Sequence, residues 1–120
     1  MKAILIDPVT RTVTTVEHDG TLDSTYNLLG CSMIESPVRY ENGDAMYCDE
    51  EAWLNVNENP LAGFKYPDYL YGILGKALIV GSNDEGEDDD CKSTVEEIAK
   101  DITWLDDAEM RKQGKEMRII

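Results

Sequence analysis

The densest group of ionisable side chains in the sequence is an acidic run between residues 84 and 90. Six of these seven positions carry a carboxylate: Asp84, Glu85, Glu87, Asp88, Asp89 and Asp90. An extended chain advances at most ~3.3–3.6 Å per residue, so this run would hold one negative charge about every 4 Å. One strand of DNA holds one charge about every 3.4 Å, so such a segment could occupy a groove that normally binds a phosphate backbone. The run taken alone favours a different interpretation, a solvated loop that maintains solubility.

Three further carboxylates, Asp49, Glu50 and Glu51, follow one another in the first half of the chain. We predict that they belong to the same partner-binding surface as the run at 84–90, because both groups would attract a positively charged protein. Consecutive acidic residues could also support a metal-dependent hydrolase. Nothing in their spacing singles out a catalytic pair.

Amphipathic rings and an amide group follow this second acidic group. The residues that we predict for an alternative, ligand-binding site are Trp53, Asn57, Tyr66, Tyr69 and Tyr71. Side chains of these types line small-molecule pockets, and they also form the centres of protein-binding surfaces. A third interpretation is that the tyrosines cover the edge of the hydrophobic core. A nucleotide at this site would enter a negative field, since only Arg39, Lys65 and Lys76 lie nearby in the sequence to oppose it.

Motifs that would identify a specific catalytic chemistry are missing from the sequence. Neither Gly43 nor Gly86 takes the sixth position of a calcium-binding EF-hand loop, and only a weak surface site for Ca²⁺ or Mg²⁺ at 84–90 is left open. The segment 72–77 lacks the glycine spacing and the hydroxyl residue of a phosphate-binding P-loop. His18 is the only histidine, and its His-Asp-Gly context predicts an exposed turn residue. We therefore predict no catalytic residue, no metal site and no cofactor.

The cysteines also argue against a metal centre. Cys31, Cys48 and Cys91 are odd in number and lie 17 and 43 residues apart. Structural zinc sites use four ligands, usually in close pairs, and disulfide scaffolds use even numbers of cysteines. The pattern predicts reduced thiols in a cytoplasmic protein.

Composition limits the class of protein further. Eleven basic and 25 acidic residues give a net charge of −14, whereas a protein that binds nucleic acid directly needs a basic face. Hydrophobic residues make up 42% of the 120-residue chain, enough for one core in one domain. The apolar run at 3–6 is too short for a signal peptide, and no window reaches the ~18 apolar residues of a membrane span. We therefore expect a cytoplasmic protein with no membrane partner.

A mixed set of strands and helices must position these residues. Apolar and Thr/Val-rich stretches at 3–6 and 12–17 predict a hairpin. The Asn-Gly pair at 42–43 predicts a second hairpin, and Pro37 in its first strand predicts a sheet edge or a bulge. The apolar segment 76–81 predicts a central strand.

Three helices are predicted from their capping residues and apolar spacing. Thr21 caps the first helix, which ends at a left-handed Gly30. Ser93 and Glu96 form a capping box for the second helix. Its apolar face comprises Val95, Ile98, Ile102 and Leu105. Asp106 starts the third helix.

Together these elements predict an α+β fold in a single small domain. We expect an antiparallel or mixed sheet of four to six strands with two or three short helices on one face. Residues 1–105 would form the domain, and residues 106–120 a basic helical extension. The last ten residues contain four basic and one acidic side chain. This charge suits the C-terminus of a helix, and it also makes a second copy of the chain a candidate partner.

Several segments resemble a family of small acidic α+β proteins of unknown function that is met in phages, prophages and mobile elements. The resemblance rests on the opening Met-Lys-Ala-Ile-Leu-Ile-Asp and on the segments 29–35, 43–51 and 73–81, and it covers about residues 1–105. The resemblance implies a phage-encoded accessory protein that acts in the bacterial host cytoplasm. It supplies no catalytic residues.

The leading hypothesis is an interaction protein. An acidic phage-type protein would bind a host protein with a basic surface and inhibit or modulate it, by mimicking the charge of nucleic acid, in counter-defence or host takeover. The alternative is a module that binds and sequesters a small ligand such as a signalling nucleotide. The third hypothesis is the metal-dependent hydrolase.

Overall fold

Short strands and short helices alternate along the chain. A computed structural model describes residues 1–56, 60–67 and 69–118. Its elements are β1 (Lys2–Asp7), β2 (Thr12–Glu17), α1 (Leu22–Leu29), β3 (Ile34–Arg39), β4 (Ala45–Asp49), a 3₁₀ turn (Ala52–Asn55), β5 (Gly63–Lys65), β6 (Ile73–Leu74), β7 (Ala77–Ser82), β8 (Asp88–Asp89), α2 (Val95–Ala99), β9 (Thr103–Leu105) and α3 (Asp107–Glu116).

The larger sheet is built around β7. Within the described residues this six-stranded sheet has the order β2-β1-β7-β4-β3, and β8 pairs with β7. Its strand pairs are antiparallel. A smaller antiparallel sheet has the order β6-β5-β9. The prediction of a central strand at 76–81 is confirmed, since the first five residues of β7 are buried.

Alternation along the strands divides the core between the two faces of the larger sheet. On one face, Ile79 packs in a cluster with Phe64 of β5 and Ile98 of α2. On the other face, Leu78 packs with Leu29 of α1. The predicted α+β class is confirmed. The helices lie on both faces rather than on one, because both faces of this sheet are apolar and each must be covered.

Local signals placed several turns correctly. Thr21 caps α1 by accepting a hydrogen bond from the backbone N–H of Ser24, and Gly30 ends the helix at φ 67°. Gly43 closes the turn between β3 and β4 at φ 96°. The register of β3 against β4 shifts across Pro37, and β3 is an edge strand of the larger sheet. Each feature depends on a few neighbouring residues.

The predicted start of the second helix is wrong. The N-cap of α2 is Thr94, whose Oγ1 accepts a hydrogen bond from the backbone N–H of Glu97 at 3.2 Å. Ser93 instead donates its hydroxyl to the carboxylate of Asp44 at 2.7 Å. The capping box of Ser93 and Glu96 does not form because a buried acceptor takes the Ser93 hydroxyl.

The predicted length of the second helix is also wrong. α2 ends at Ala99, and Leu105 lies in β9, where it pairs with Gly63 of β5. The apolar spacing that looks helical therefore belongs to two elements. Strand pairing with β5 outweighs this local periodicity, as tertiary context often does.

His18 is buried rather than exposed. The residue is 2% accessible, and its Nε2 lies 2.9 Å from Oγ1 of Thr25 in α1. The backbone N–H of Gly20 donates to Nδ1 at 3.0 Å, so the proton of the neutral ring resides on Nε2 and is donated to Thr25. The side chain joins the end of β2 to α1, a contact that its turn-like neighbours in the sequence do not indicate.

α3 packs on the segment around Gly72. Its N-terminus has a capping box in which Asp106 and Glu109 exchange hydrogen bonds, so the predicted start at Asp106 is confirmed. Met110 is fully buried. Gln113 accepts from the N–H of Gly72 at 2.8 Å and donates to its carbonyl at 2.9 Å. The division between a domain and an extension at residue 105 stays a prediction.

Candidate functional site

The acidic run folds into a tight turn between β7 and β8, which we call the acidic hairpin (82–90). The backbone N–H of Asn83 donates to the carbonyl of Glu87 at 2.9 Å, and Gly86 adopts φ 80°. Oδ1 of Asn83 accepts from the backbone N–H groups of Glu85 at 2.9 Å and Glu87 at 3.0 Å. The chain therefore reverses direction, and the expected spacing along an extended line is wrong. The carboxylates are gathered on a compact projection instead.

Neighbouring strands hold the base of the acidic hairpin. Oδ1 of Asp90 accepts from the backbone N–H of Lys2 at 2.8 Å, and the N–H of Cys91 donates to the carbonyl of Lys2 at 2.8 Å. On the other side, the Ser82 hydroxyl donates to the carbonyl of Gly43 at 2.7 Å. These bonds connect the hairpin to β1 and to the turn between β3 and β4.

The charge of the acidic hairpin faces solvent. Asp84, Glu85, Glu87, Asp88, Asp89 and Asp90 are all exposed. The ion pairs between described residues join Met1 to Glu17 and Arg111 to Asp107, so they neutralise none of these six carboxylates. Asp90 has a structural bond as well as a charge, whereas the side chain of Glu85 makes no hydrogen bond within the described residues.

Beneath the hairpin lies a buried carboxylate, that of Asp44. It accepts hydrogen bonds from the hydroxyl of Ser93 at 2.7 Å, from the N–H of Ser93 at 2.8 Å and from the N–H of Lys92 at 3.1 Å. Burial alone would raise the pKa of Asp44, but the hydrogen bonds from Ser93 and Lys92 outweigh it and hold the pKa below its usual value. The Asp44 carboxylate is only 1% accessible, so it is structural and does not add to the surface charge.

The second acidic group lies at the other end of the sheet. β4 and β7 are antiparallel, with Ala45 opposite Val80 and Cys48 opposite Ala77. The acidic hairpin follows the end of β7, beside Ala45. Asp49 is the last residue of β4, at the opposite end of that strand, and Glu50 and Glu51 follow it. The five residues of β4 separate these ends by about 13 Å. The structure therefore divides the predicted partner-binding residues into two groups.

A cleft joins this second acidic group to the aromatic residues. We call it the aromatic cleft, and its volume is ≈ 110 Å³. The acidic and aromatic side chains that line it are Glu35, Asp49, Glu50, Trp53, Tyr69 and Tyr71. Cys48, Ile73, Leu74 and Met117 line the same cleft. Some of the predicted partner-binding residues and some of the predicted ligand-binding residues therefore line the same cleft.

Backbone bonds fix the acidic rim of the cleft. The N–H of Glu50 donates to the carbonyl of Met33 at 3.1 Å, and the N–H of Glu51 donates to Oδ1 of Asp49 at 2.8 Å. These bonds turn the chain sharply after β4. As a result Asp49 and Glu50 border the cleft, while Glu51 occupies the N-cap position of the 3₁₀ turn without a side-chain hydrogen bond and does not line the cleft.

The interior of the cleft is a negative environment. Sγ of Cys48 lies 3.8 Å from Oε1 of Glu35. Burial, and then the charge of Glu35, raise the pKa of the Cys48 thiol to about 12. Burial and Glu35 likewise raise the pKa of Tyr69. A thiol of this kind is protonated at neutral pH and is a poor nucleophile.

One residue of the alternative site, Tyr66, lies elsewhere. Tyr66 is buried in the core and packs edge-on against Tyr40, with ring centroids 6.1 Å apart at 83°. Asn57 lies outside the described residues. Trp53, Tyr69 and Tyr71 are the members of this set that the structure brings together.

Sequence reasoning missed several residues of the cleft, among them Glu35, Cys48 and Met117. Glu35 lies opposite Cys48 across β3 and β4 because the register shifts between Glu35 and Val38. Counting back from the Asn-Gly turn without that shift assigns Ser36 to this position. Pro37 signalled an irregularity, but its type of bulge could not be read from the sequence.

Both sheets, the acidic hairpin and the lining of the aromatic cleft other than Met117 lie within the part of the chain that a known family covers. The family described as domain of unknown function DUF3846 matches residues 1–105. The chain belongs to DUF3846. No curated protein and no solved structure matches the DUF3846 chain. The family supports the resemblance to a domain of unknown function that the sequence segments indicated.

The remaining chemistry of the DUF3846 domain is limited. Within residues 1–56, 60–67 and 69–118, no three His, Cys, Asp or Glu side chains are grouped so that they could hold a metal ion. All three cysteines are free. Burial and then a hydrogen bond to Asp44 raise the pKa of Cys91 to about 12. None of the helices in the described part of the chain has the length and apolar character needed to cross a membrane.

Proposed function

We propose that the DUF3846 domain is a binding protein that presents its acidic hairpin to a positively charged surface of a partner protein. The observation that carries this proposal is the set of six exposed carboxylates on one ordered turn. A turn that is already folded loses little conformational entropy when it binds, so more of the electrostatic attraction remains as affinity. A net charge of −14 steers the approach of a basic partner.

The partner we propose is a host protein whose basic groove otherwise takes nucleic acid. The resemblance to phage and prophage proteins supports a phage-encoded protein in the bacterial cytoplasm, acting against a defence or regulatory protein. The hairpin would inhibit such a partner by filling its groove with carboxylates in place of phosphates. The proposal includes no catalytic step, in keeping with the raised pKa values of Cys48 and Cys91.

The nucleotide-sequestering alternative has less support. Pockets for small molecules usually enclose about 300–1,000 Å³, whereas the aromatic cleft encloses ≈ 110 Å³. Glu35, Asp49 and Glu50 also border the cleft and would repel a phosphate group. Thermal-shift measurements with nucleotides test this alternative directly, and stabilisation by one of them would restore it.

The proposed function is tested by two variants of equal charge. The hairpin variant carries Asp84→Asn, Glu85→Gln and Glu87→Gln. The control variant removes three exposed carboxylates elsewhere with Asp23→Asn, Glu96→Gln and Glu116→Gln. Wild type and both variants are immobilised, bacterial lysate is passed over them at low salt, and the affinity of each captured protein is then measured.

We expect a captured protein to bind the hairpin variant at least about tenfold more weakly than the control variant, since each lost charge pair weakens binding about threefold. We also expect wild type, and not the hairpin variant, to compete with nucleic acid for that protein. Equal binding by the two variants would show that net charge alone is responsible, and the hairpin proposal would then be wrong.

A further inference from the structure

We propose that the aromatic cleft binds the guanidinium group of an arginine side chain that belongs to a peptide or protein. Three carboxylates, Glu35, Asp49 and Glu50, border the cleft together with the rings of Trp53 and Tyr71. This site lies at the opposite end of β4 from the acidic hairpin. The inference therefore does not depend on the function proposed for the hairpin.

The negative charge of the cleft's rim favours a cationic occupant. No ion pair between described residues involves Glu35, Asp49 or Glu50. Asp49 uses one oxygen to accept from the backbone of Glu51 and retains the other, and the exposed side chain of Glu50 makes no hydrogen bond within the described residues. A cation that enters the cleft is attracted by up to three carboxylates. Part of this attraction acts in the interior near Cys48, which is shielded from water.

The aromatic walls favour a flat cation. Trp53 is half-buried and Tyr71 is 42% exposed, so part of each ring is open to an incoming group. A guanidinium is planar, stacks on such rings and forms paired hydrogen bonds with carboxylates. The ammonium of lysine is a compact, strongly hydrated charge that does neither as well.

The surroundings of the cleft suit an occupant that is part of a polypeptide. Leu54 and Leu70, the chain neighbours of Trp53 and Tyr71, are 75% and 77% exposed. Exposed apolar side chains next to a small cleft provide contact area for residues that flank a bound arginine. A free amino acid would bring its own carboxylate toward Glu35, Asp49 and Glu50.

The cleft is about the right size for the end group of one side chain. Its volume is ≈ 110 Å³, somewhat below the volume of about 150 Å³ of a cavity that binds benzene. A guanidinium group has four heavy atoms, and its apolar stem can lie over the exposed rings. A whole nucleotide or a folded loop would not fit.

The test uses acetyl-arginine-amide as the probe and acetyl-citrulline-amide as its uncharged counterpart of nearly the same shape. Both are titrated to tens of millimolar into the full-length protein at low salt, and backbone and indole NMR shifts are recorded. We expect saturable shifts at Trp53 and Tyr71 with the arginine probe, and binding at least about tenfold weaker with citrulline, because the charge supplies most of the attraction.

Two single substitutions of equal charge locate the site. Glu50→Gln removes a rim carboxylate that has no structural bond, and Glu85→Gln removes one from the acidic hairpin. We expect Glu50→Gln and Trp53→Ala to weaken probe binding about threefold to tenfold, and Glu85→Gln to leave it unchanged.

Three results would overturn the inference. These are the absence of saturable shifts, equal binding of the citrulline probe, or equal weakening by Glu85→Gln and Glu50→Gln. All three leave the hairpin proposal standing, since that proposal is measured with a captured protein and hairpin substitutions.

Discussion

Asp44 shows how one buried charge can organise a neighbouring surface. Its carboxylate accepts hydrogen bonds from Cys91, Lys92 and Ser93, the three residues that follow the acidic hairpin. The N–H and the hydroxyl of Ser93 would be unsatisfied in the interior without it, and each unsatisfied donor costs about 1–3 kcal/mol. The buried carboxylate of Asp44 thus helps to fix the position of the acidic hairpin and of its exposed carboxylates.

We predict that Asp44→Asn lowers the free energy of unfolding by about 3 kcal/mol at neutral pH, because an amide has one acceptor oxygen where the carboxylate has two. Urea denaturation measures the loss. Glu41→Gln, which alters an exposed carboxylate in the same turn, serves as the control and should cost less than about 0.5 kcal/mol. Similar losses for the two variants would contradict a structural role for Asp44.

The same substitution has a defined pH dependence. The pKa of Asp44 is lower in the folded protein than its usual value of 3.8, so the folded state binds that proton less readily than the unfolded chain. Its contribution to stability is therefore complete above 3.8 and declines as the pH falls through the lower folded-state pKa. The difference in unfolding free energy between wild type and Asp44→Asn should shrink over that range. A difference that is constant with pH would show that the charge of Asp44 is not responsible.

At the scale of elements, single contacts decide how neighbouring segments are held. His18 at the end of β2 donates to Thr25 in α1, and the backbone of residues 89–90 approaches β7 where Gly81 has no side chain. The first contact joins the end of a strand to a helix, and the second lies within the pairing of β7 with β8. Each can be tested by one substitution.

Thr25→Val should lower the free energy of unfolding by about 1–3 kcal/mol, because it leaves Nε2 of buried His18 without its partner while preserving the shape of the side chain. Thr15→Val, at an exposed position of β2, is the matched control and should be nearly neutral. Thermal and urea denaturation provide the measurement, and equal effects at the two positions would refute the contact.

Gly81→Ala should destabilise the protein by about 2–4 kcal/mol, because the added Cβ would overlap the backbone carbonyl of Asp90. Gly86→Ala has no atom within 4 Å of the new Cβ, and the cost arises only from φ 80°, about 1 kcal/mol. Hydrogen exchange of the Cys91 amide reports the damage. Faster exchange in Gly86→Ala than in Gly81→Ala would contradict the close approach.

Sequence reasoning succeeded for elements that short-range signals define. The caps at Thr21 and Asp106 and the turn at 42–43 each depend on residues within one turn of chain. It failed at Leu105 and His18, whose positions are decided by β5 and α1. It also separated the carboxylates and rings of the aromatic cleft into two hypotheses, because the chain reversal after β4 brings them together only in three dimensions.

At the scale of the whole molecule, the net charge of −14 has opposite effects on folding and on binding. Like charges repel one another within the folded chain, and this repulsion falls as salt shortens the screening length to about 8 Å at 0.15 M. The same screening weakens attraction to a basic partner. A rise in salt concentration should therefore increase the stability of the fold and weaken its association with a basic partner.

We predict that raising NaCl from low to moderate concentration increases the melting temperature by several degrees, which corresponds to about 1 kcal/mol. The hairpin variant should gain less, since it starts with weaker repulsion. Differential scanning calorimetry over a salt series provides the measurement. A melting temperature that falls with salt in this range would mean that favourable ion pairs dominate the surface instead.

The two proposed binding surfaces, the acidic hairpin and the aromatic cleft, lie at opposite ends of β4. The described residues expose 7050 Å², and a typical interface covers about 800 Å² of one partner. Two such interfaces would together cover about a quarter of that surface. With both proposals in force, one copy of the domain would hold two cationic proteins at once and act as an adaptor that brings them into a ternary complex.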